Sequence, residues 1–422
     1  MNETIPTPEG GLAAPDALND AERLQAYRRV KRQESRKALL LAAPLLLFLL
    51  ITFIAPIGTL LLRSIQNPEV PLALPEATKL LQHWDEAAMP GADIYAAMAQ
   101  DLVQASKQGK LGRVARRMNF YNPAMRSLLL KTARKLKRDS RDDLQAALLA
   151  SDSRWGDKEI WRVLKRAGQS PTPDYLLNAV DSYVDKTGSV ASLPPEESVY
   201  LAAFSRTIWI STSVTLLCLL LAYPVAWLLA NLPARQGRKL MLLVIIPFWT
   251  SLLVRTTAWY VLLQPNGVIN SLLSGLGLVS QPIPLVFNRT GVLIGMTHIM
   301  LPFMILAIYS VMKGISPVYL RAAQSLGAKP LTAFIRVYVP QTLAGVGAGC
   351  FLVFVLSLGY YITPALLGGA GDEMISQLIS IQTNQQLNWG LAGALSAYLV
   401  IFTAIFYFIF NRLVGIDRLR FG

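Results

Sequence analysis

Charge is scarce in this chain: only 16% of its 422 residues are Asp, Glu, Lys or Arg, against about 25% in a soluble domain. Acids are the scarcer sign, 26 against 40 bases. None falls inside a long apolar run, and proton coupling across a membrane normally needs one there. There are two cysteines. Two isolated thiols build no disulfide framework, and no metal-ligand spacing surrounds them. Cys218 and Cys350 both sit in apolar runs and read as small buried residues. The two histidines, His83 and His298, are far apart and show no ligand pattern. No metal or other cofactor is expected. No Gly-x-x-x-x-Gly-Lys-Ser/Thr loop occurs, so nothing in the chain would cradle the phosphates of ATP.

What the chain does have is apolar length. Hydrophobic residues make up 53% of it. A bilayer-spanning helix needs about 20 mostly apolar residues. Six segments qualify: 38–62, 207–232, 240–263 (interrupted by Arg255), 291–312, one within 342–366, and 391–410. The first is too long, and lies too far from residue 1, for a cleaved signal peptide. Prolines at 44, 56, 224, 247, 302 and 364 lie in or near these runs, and kinks are tolerated where neighbouring helices satisfy the freed backbone.

The flanking charges give an orientation. Arg23, Arg28, Arg29, Lys31, Arg32, Arg36 and Lys37 precede the first run. Arg235, Arg238 and Lys239 lie between the second and third, and Lys313, Arg321, Lys329 and Arg336 between the fourth and fifth. Arg412, Arg418 and Arg420 follow the last. On the opposite side, residues 265–290 carry only Arg289, and 367–390 carry no Lys or Arg. The basic side is cytoplasmic by the positive-inside rule, which places both termini inside. The net charge of +14 is therefore a membrane signature and not a nucleic-acid groove. The expected organisation is a cytoplasmic segment 1–37, a first span 38–62, a periplasmic helical insert 63–206, a five-helix core 207–414 with a cytoplasmic loop 314–340, and a tail 415–422. The fold class is all-α and polytopic.

The insert has helical patterning over 77–88, 92–108, 124–137 and 142–149. Ser140-Arg141-Asp142 looks like a helix start. Few β-branched residues occur, so an all-helical domain is expected. The cluster from Lys131 to Arg141 reads as a solvated helix face. No nucleophile–base pair or metal cluster appears, which argues against a membrane-anchored enzyme. Two roles fit the insert: docking a partner outside the cell, or structural elaboration. Asp372 and Glu373, the acids of the outer loops beyond it, read as a solvated pair.

The loop 314–340 is the most informative stretch. Ser316 suits a helix N-cap and Pro317 the first helical position. Gly327 suits a left-handed C-terminal turn after a short helix ending at Leu326. Pro330 would open a second short helix, through Phe334 to Tyr338, and Pro340 would mark the entry to the fifth span. Ala322 and Ala323 are small and adjacent, so another surface could approach the backbone.

This loop resembles the EAA loop of binding-protein-dependent ABC importer permeases. Ala322-Ala323, Gly327, Phe334 and Pro340 stand at that family's spacing. Its Glu position holds Arg321 here. Pro247-Phe-Trp-Thr-Ser-Leu-Leu-Val-Arg-Thr-Thr-Ala-Trp259, Asn266-Gly267, Asn270 and Ser357-Leu-Gly-Tyr-Tyr-Ile-Thr-Pro-Ala-Leu-Leu-Gly-Gly369 are similar to the spermidine/putrescine permease group. The resemblance covers the first span and everything from about Arg206 onward. It implies a non-enzymatic permease subunit in the bacterial inner membrane. Its implied partners are a cytoplasmic ABC ATPase dimer seated on the loop, a second permease and a periplasmic substrate-binding protein. Its implied cargo is a polyamine or related small amine, including amino acids such as 4-aminobutyrate or 5-aminovalerate.

Thr250, Arg255, Tyr360, Tyr361 and Thr363 are candidates to line the pathway. Arg255 costs roughly 2.5–3.5 kcal/mol at a helix centre by insertion scales. It either binds carbonyls of Pro265-Asn266 or a neighbouring subunit, or takes part in the pathway. Tyrosines can hold a cation or anchor the interface. A secondary transporter or channel is the alternative reading, and dependence on ATP separates the two.

Overall fold

A computed structural model describes residues 31, 37–119, 121–138, 143–185 and 189–414. Residues 1–59 and 60–422 form separate units. In the first unit, helix α1 begins at Lys37; it ends at Arg63, and at 1.5 Å per residue it is about 40 Å long. Its ladder widens into a π-turn over Leu50–Ile54, where Ala55 N–H bonds to Leu50 O. The cause is Pro56, which has no N–H to donate and crowds the carbonyl four residues back.

The insert follows. Its helices are α2 (Glu69–Ala73), α3 (Pro75–Gln82), α4 (Ala92–Lys107), α5 (Leu111–Met118), α6 (Ala124–Leu136), α7 (Leu144–Ser151), α8 (Lys158–Ala167) and α9 (Asp174–Asn178). The predicted helices at 92–108 and 124–137 are present almost to the residue. The one predicted over 77–88 stops at Gln82: Trp84 Nε1 donates to Ala88 O at 3.1 Å and Glu86 takes φ 66°, which turns the chain. The expected start at Ser140-Arg141-Asp142 lies outside the described residues; Asp143 caps α7 by accepting from Ala146 N–H at 3.1 Å. A small hairpin, β1 (Ser182–Val184) with β2 (Val190–Ser192), departs from the all-helical expectation.

The insert has its own apolar core. Trp155 and Trp161 are fully buried at its centre. The Tyr95 hydroxyl and Trp161 Nε1 both donate to Trp155 O at 2.9 Å. Trp155 Nε1 donates to Thr132 Oγ1 at 2.9 Å. Every polar tip of this cluster is thereby satisfied, which buried aromatics require.

The remaining helices are α10 (Tyr200–Asn231), α11 (Ala234–Ile245), α12 (Leu252–Leu263), α13 (Val268–Gly275), α14 (Arg289–Gly314), α15 (Val318–Ser325), α16 (Pro330–Leu358), α17 (Ile362–Leu367), α18 (Ile375–Asn384) and α19 (Trp389–Val414). Among the described residues five helices are long and apolar enough to cross a membrane, namely α1, α10, α14, α16 and α19; a sixth crossing exists only if one bent pair counts as a span.

That pair is the expected third span. The run 240–263 is broken: α11 passes into a 3₁₀ turn at Ile246–Trp249, and the axis swings by 96° before α12. Thr250 and Ser251 are both extended, with ψ 146° and 142°. Thr250 Oγ1 donates to Pro247 O at 2.8 Å, competing with the helical ladder. The expected fifth span is also displaced. Its helix starts at Pro330 and ends at Leu358, and α17 is separate. Pro364 explains the gap, since it has no N–H for Tyr360 O. Ser376 Oγ supplies that bond instead at 2.8 Å.

The core is built by α10, α14 and α16. Ile210, Val214, Cys218, Ala222 and Ala226 recur every four residues on α10, so one stripe is buried. Cys218 Sγ lies 3.5 Å from Thr297 O within it, in keeping with a packed small residue. On α16 two glycines let α14 approach. A Cβ at Gly345 would lie 2.9 Å from Val311 Cβ and 3.2 Å from Ala307 O. One at Gly349 would lie 2.6 Å from Met304 Sδ. Small residues four apart are how membrane helices pack closely.

The insert is fastened to this core. Tyr175 of α9 and Ala179 just after it join Ala203, Leu378, Leu391 and Leu395 in one buried cluster. A side chain at Gly390 would overlap the Tyr175 ring. Asp181, only 2% exposed, caps α10. Its carboxylate accepts from Ser198 Oγ and from the N–H groups of Val199, Tyr200 and Leu201 at 2.7–3.1 Å. Those N–H groups lie at the helix start and have no intrahelical partners, so the cap matters energetically. Asp181 thus joins the end of the insert to the start of the second span.

Candidate functional site

The loop between α14 and α16 forms an elbow. Ser316 Oγ accepts from Val318 N–H at 3.3 Å, and α15 begins one residue later than the proline position implied. At its end Gly327 takes φ +89°. Gly327 N–H bonds to Gln324 O at 2.9 Å and Ala328 N–H to Ala323 O at 3.1 Å. This pair of bonds is the Schellman turn, in which a left-handed residue closes a helix. No atom lies within 4 Å of where a Gly327 Cβ would be. Glycine is demanded here by the backbone and not by crowding.

Beyond the turn the expected second short helix is instead the first part of α16. A π-turn at Phe334–Tyr338 carries the chain past Pro340, with Val339 N–H bonding to Phe334 O. It is the device seen before Pro56. Pro340 therefore widens a continuous helix and does not begin one.

The elbow has a fixed base and an exposed tip. At the base Phe334 stacks on Tyr338 with centroids 5.4 Å apart, and meets the edge of Trp227 at 6.1 Å. Ala333 and Tyr338 are buried. Lys313 Nζ donates to Ala230 O at 3.2 Å, tying the end of α14 to α10. At the tip Arg321 and Ala322 are exposed and Ala323 is half-buried. Leu326 is 90% exposed, and Val318, Tyr319, Leu331 and Ile335 are also open. Large apolar side chains left open to this degree are more than scattered single exposures, which need no explanation. The sequence reading named the small residues but missed the large ones, although Leu326 directly beside a turn glycine was visible in the sequence.

A second cluster lies in the helical core. Thr256 and Thr363 are fully buried, with their hydroxyls 3.2 Å apart. Thr256 Oγ1 donates its proton to Leu252 O at 3.0 Å, so Thr363 must be the donor between them. Tyr360 lies beside Thr363 and within the field of Arg255; its buried hydroxyl falls short of hydrogen-bond geometry. Arg255 also faces His298. His298 in turn packs against the edge of Trp259, with centroids 5.5 Å apart. Arg255 Nε and His298 Nδ1 are buried without hydrogen-bond partners.

The structure thus brings together three of the five candidates, Arg255, Tyr360 and Thr363, and adds Thr256, His298 and Trp259. Thr250 stands apart at the break, where both its hydrogen bonds go to Pro247. Tyr361 is 40% exposed, ahead of α17. No bond from Arg255 reaches the carbonyls of Pro265 or Asn266 among the described residues. Asn270 ties that loop instead: its amide donates to Gln264 O at 3.1 Å and Ile283 O at 3.0 Å, and accepts from Ile283 N–H at 2.9 Å. Asp372 is not solvated. It is 8% exposed and paired with Arg289 at 3.0 Å.

The family described as "Binding-protein-dependent transport system inner membrane component" matches residues 200–417, so the first span lies outside the match, contrary to the extent expected above. The spermidine/putrescine transport system permease protein PotB of Escherichia coli (strain K12) is 34% identical over 216 residues, covering 51% of this chain and 78% of that protein. PotB of Haemophilus influenzae is 31% identical over 249 residues, covering 57% of this chain and 87% of that protein. The inner membrane ABC transporter permease protein YdcU of Escherichia coli (strain K12) is 30% identical over 226 residues, covering 51% and 72%. With a buried three-helix core, an elbow closed by a left-handed glycine and relatives of this kind, the chain belongs to the binding-protein-dependent transport system inner membrane component family, as a membrane-spanning permease subunit.

Proposed function

We propose that this permease carries a small amine-bearing solute inward: a polyamine, or an amino acid such as 4-aminobutyrate or 5-aminovalerate. The PotB relatives, named for spermidine and putrescine, support the amine. Two permease chains form the pathway, a periplasmic binding protein delivers the solute, and a cytoplasmic ATPase dimer drives the cycle. Both termini and the elbow face the cytoplasm, and the insert faces the periplasm.

One observation carries the coupling role: the elbow presents an exposed apolar tip on a packed aromatic base. Arg321, Ala322, Ala323 and Leu326 meet the ATPase there. Gly327 fixes the bend, and Phe334 and Pro340 transmit its movement into α16. The cluster of Arg255, Tyr360, Thr363, Thr256 and His298 borders the pathway, and Thr250 marks the hinge between α11 and α12.

The test is reconstitution of the chain in liposomes with its partner permease, ATPase and binding protein. Labelled putrescine and 4-aminobutyrate are offered outside and nucleotide inside. Uptake that requires ATP and the binding protein is the expected result. Uptake driven by an ion gradient without ATP would refute the reading.

A further inference from the structure

We propose that the seam between α5 and the loop before α19 is a binding site for the phosphate of an anionic phospholipid headgroup. A cavity of about 230 Å³ opens there, lined by Arg113, Arg116 and Arg117. Glu69 is the one acid lining it among the described residues, and the amides of Gln386 and Asn388 complete its polar wall.

The cationic excess is local and built in. From Lys107 to Arg138 the sequence contains no Asp or Glu. Arg113 and Arg116 make no ion pair among the described residues. Arg116 Nη1 donates to Gln386 O at 3.3 Å, which joins the insert to the core across the cavity. Arg117 is 5% exposed. Its guanidinium lies 3.9 Å from the Tyr175 ring centre and 4.8 Å from that of Tyr121, and Nη2 donates to the Tyr121 hydroxyl at 2.9 Å. Burial raises the pKa of Glu69 against the opposing pull of the arginines, and even with its charge in full this single acid leaves the three lining arginines in excess.

Guanidinium groups and amide donors converging on one cavity suit a phosphate. The rim indicates which phosphate. Arg63, at the end of α1, lies 5.7 Å from the ring centre of Trp389, the first residue of α19. Tryptophan and arginine at helix ends mark the membrane interface. Trp389 is 41% exposed and Leu387 46%. The cavity therefore opens at headgroup level beside apolar and aromatic surface that acyl chains can cover. The level rests on reading α1 and α19 as spans; the site itself does not depend on which way the chain faces.

The experiment uses the purified, delipidated transporter. Short-chain phosphatidylglycerol is titrated and the retained lipid counted by native mass spectrometry. Phosphatidylcholine and inorganic phosphate are the comparison probes. Arg113→Gln/Arg116→Gln should weaken phosphatidylglycerol retention by about twenty-fivefold, since each interfacial cation contributes roughly a fivefold effect. Arg126→Gln/Arg134→Gln, exposed on the neighbouring helix α6 and absent from the cavity lining, should retain it as the wild type does. Melting of the lipid-free protein should be the same in all three, which sets misfolding aside. Equal retention by both double variants overturns the proposal. So does inorganic phosphate competing as well as the lipid, which makes the site one for free anions. A loss of binding-protein affinity with lipid retention unchanged assigns the arginines to a protein contact instead.

Discussion

Replacing Gly327 isolates the bend of the elbow from its surface. The φ of +89° places the residue where an L-side chain strains the backbone, and an L-residue there costs about 1–2 kcal/mol. Space is not limiting, because nothing lies within 4 Å of the would-be Cβ. If the turn instead relaxes, the bonds at 2.9 and 3.1 Å from Gly327 and Ala328 are lost, each a net contribution of about 0.5–1.5 kcal/mol. By either route the elbow population shifts by roughly tenfold, the equivalent of about 1.4 kcal/mol. The ranking should follow backbone tolerance: Gly327→Asn close to the wild type, Gly327→Ala worse, Gly327→Val worst. The assay is the ratio of solute taken up to ATP hydrolysed in reconstituted liposomes. The ratio should fall in that order while the protein still assembles. If Asn is as harmful as Val, the partner's surface is crowding the Cβ and the backbone argument is refuted.

Other expectations concern packing and the insert. Gly345→Ala should lower the melting temperature more than Gly349→Ala, because its Cβ meets the Val311 Cβ and a backbone carbonyl, whereas Gly349 faces the flexible end of Met304; overpacking costs about 1–3 kcal/mol, and the reverse ranking would contradict the close-approach account. Asp181→Ala should destabilise by about 0.5–2 kcal/mol through the lost cap. Asp181→Asn should do less harm, because Asn tolerates the φ of 51°; equal damage would discount the backbone contribution. In the insert, bonds from Arg154 and Lys131 hold the Asp152 carboxyl well below the usual range. A depressed carboxylate contributes stability above its unfolded pKa and loses it as the pH falls through the folded value. Asp152→Asn should therefore melt lower at neutral pH, with the gap closing in strong acid.

Local signals in the sequence were reliable, and long-range ones were hidden. Gly327 was legible because a left-handed helix end has its own residue preference. The spans were legible as apolar runs, but not where they bend: nothing in the run 240–263 distinguishes a kink at Pro247 from a 96° break followed by two extended residues. Pro340 suggested a helix start because a π-turn, which lets a helix pass a proline, leaves no mark in composition. The hairpin at 182–192 was lost in a composition averaged over the whole insert. Asp372 read as solvated because its partner Arg289 lies far away in sequence, at the start of α14. The grouping of Arg255 with His298 and Tyr360 likewise depends on two helices meeting the link between α16 and α17. Gly345 and Gly349 were the missed opportunity, since small residues four apart are visible without a structure.

The central claim is that the tip of the elbow sits in the cytoplasm against the ATPase. Leu326→Cys in a Cys218→Ala/Cys350→Ala background places one thiol at the most exposed point of the tip. Labelling by a membrane-impermeant maleimide should occur in inside-out vesicles stripped of ATPase, be blocked when the ATPase is restored, and be absent in intact spheroplasts. Labelling from outside the spheroplast, or labelling indifferent to the ATPase, would contradict the account.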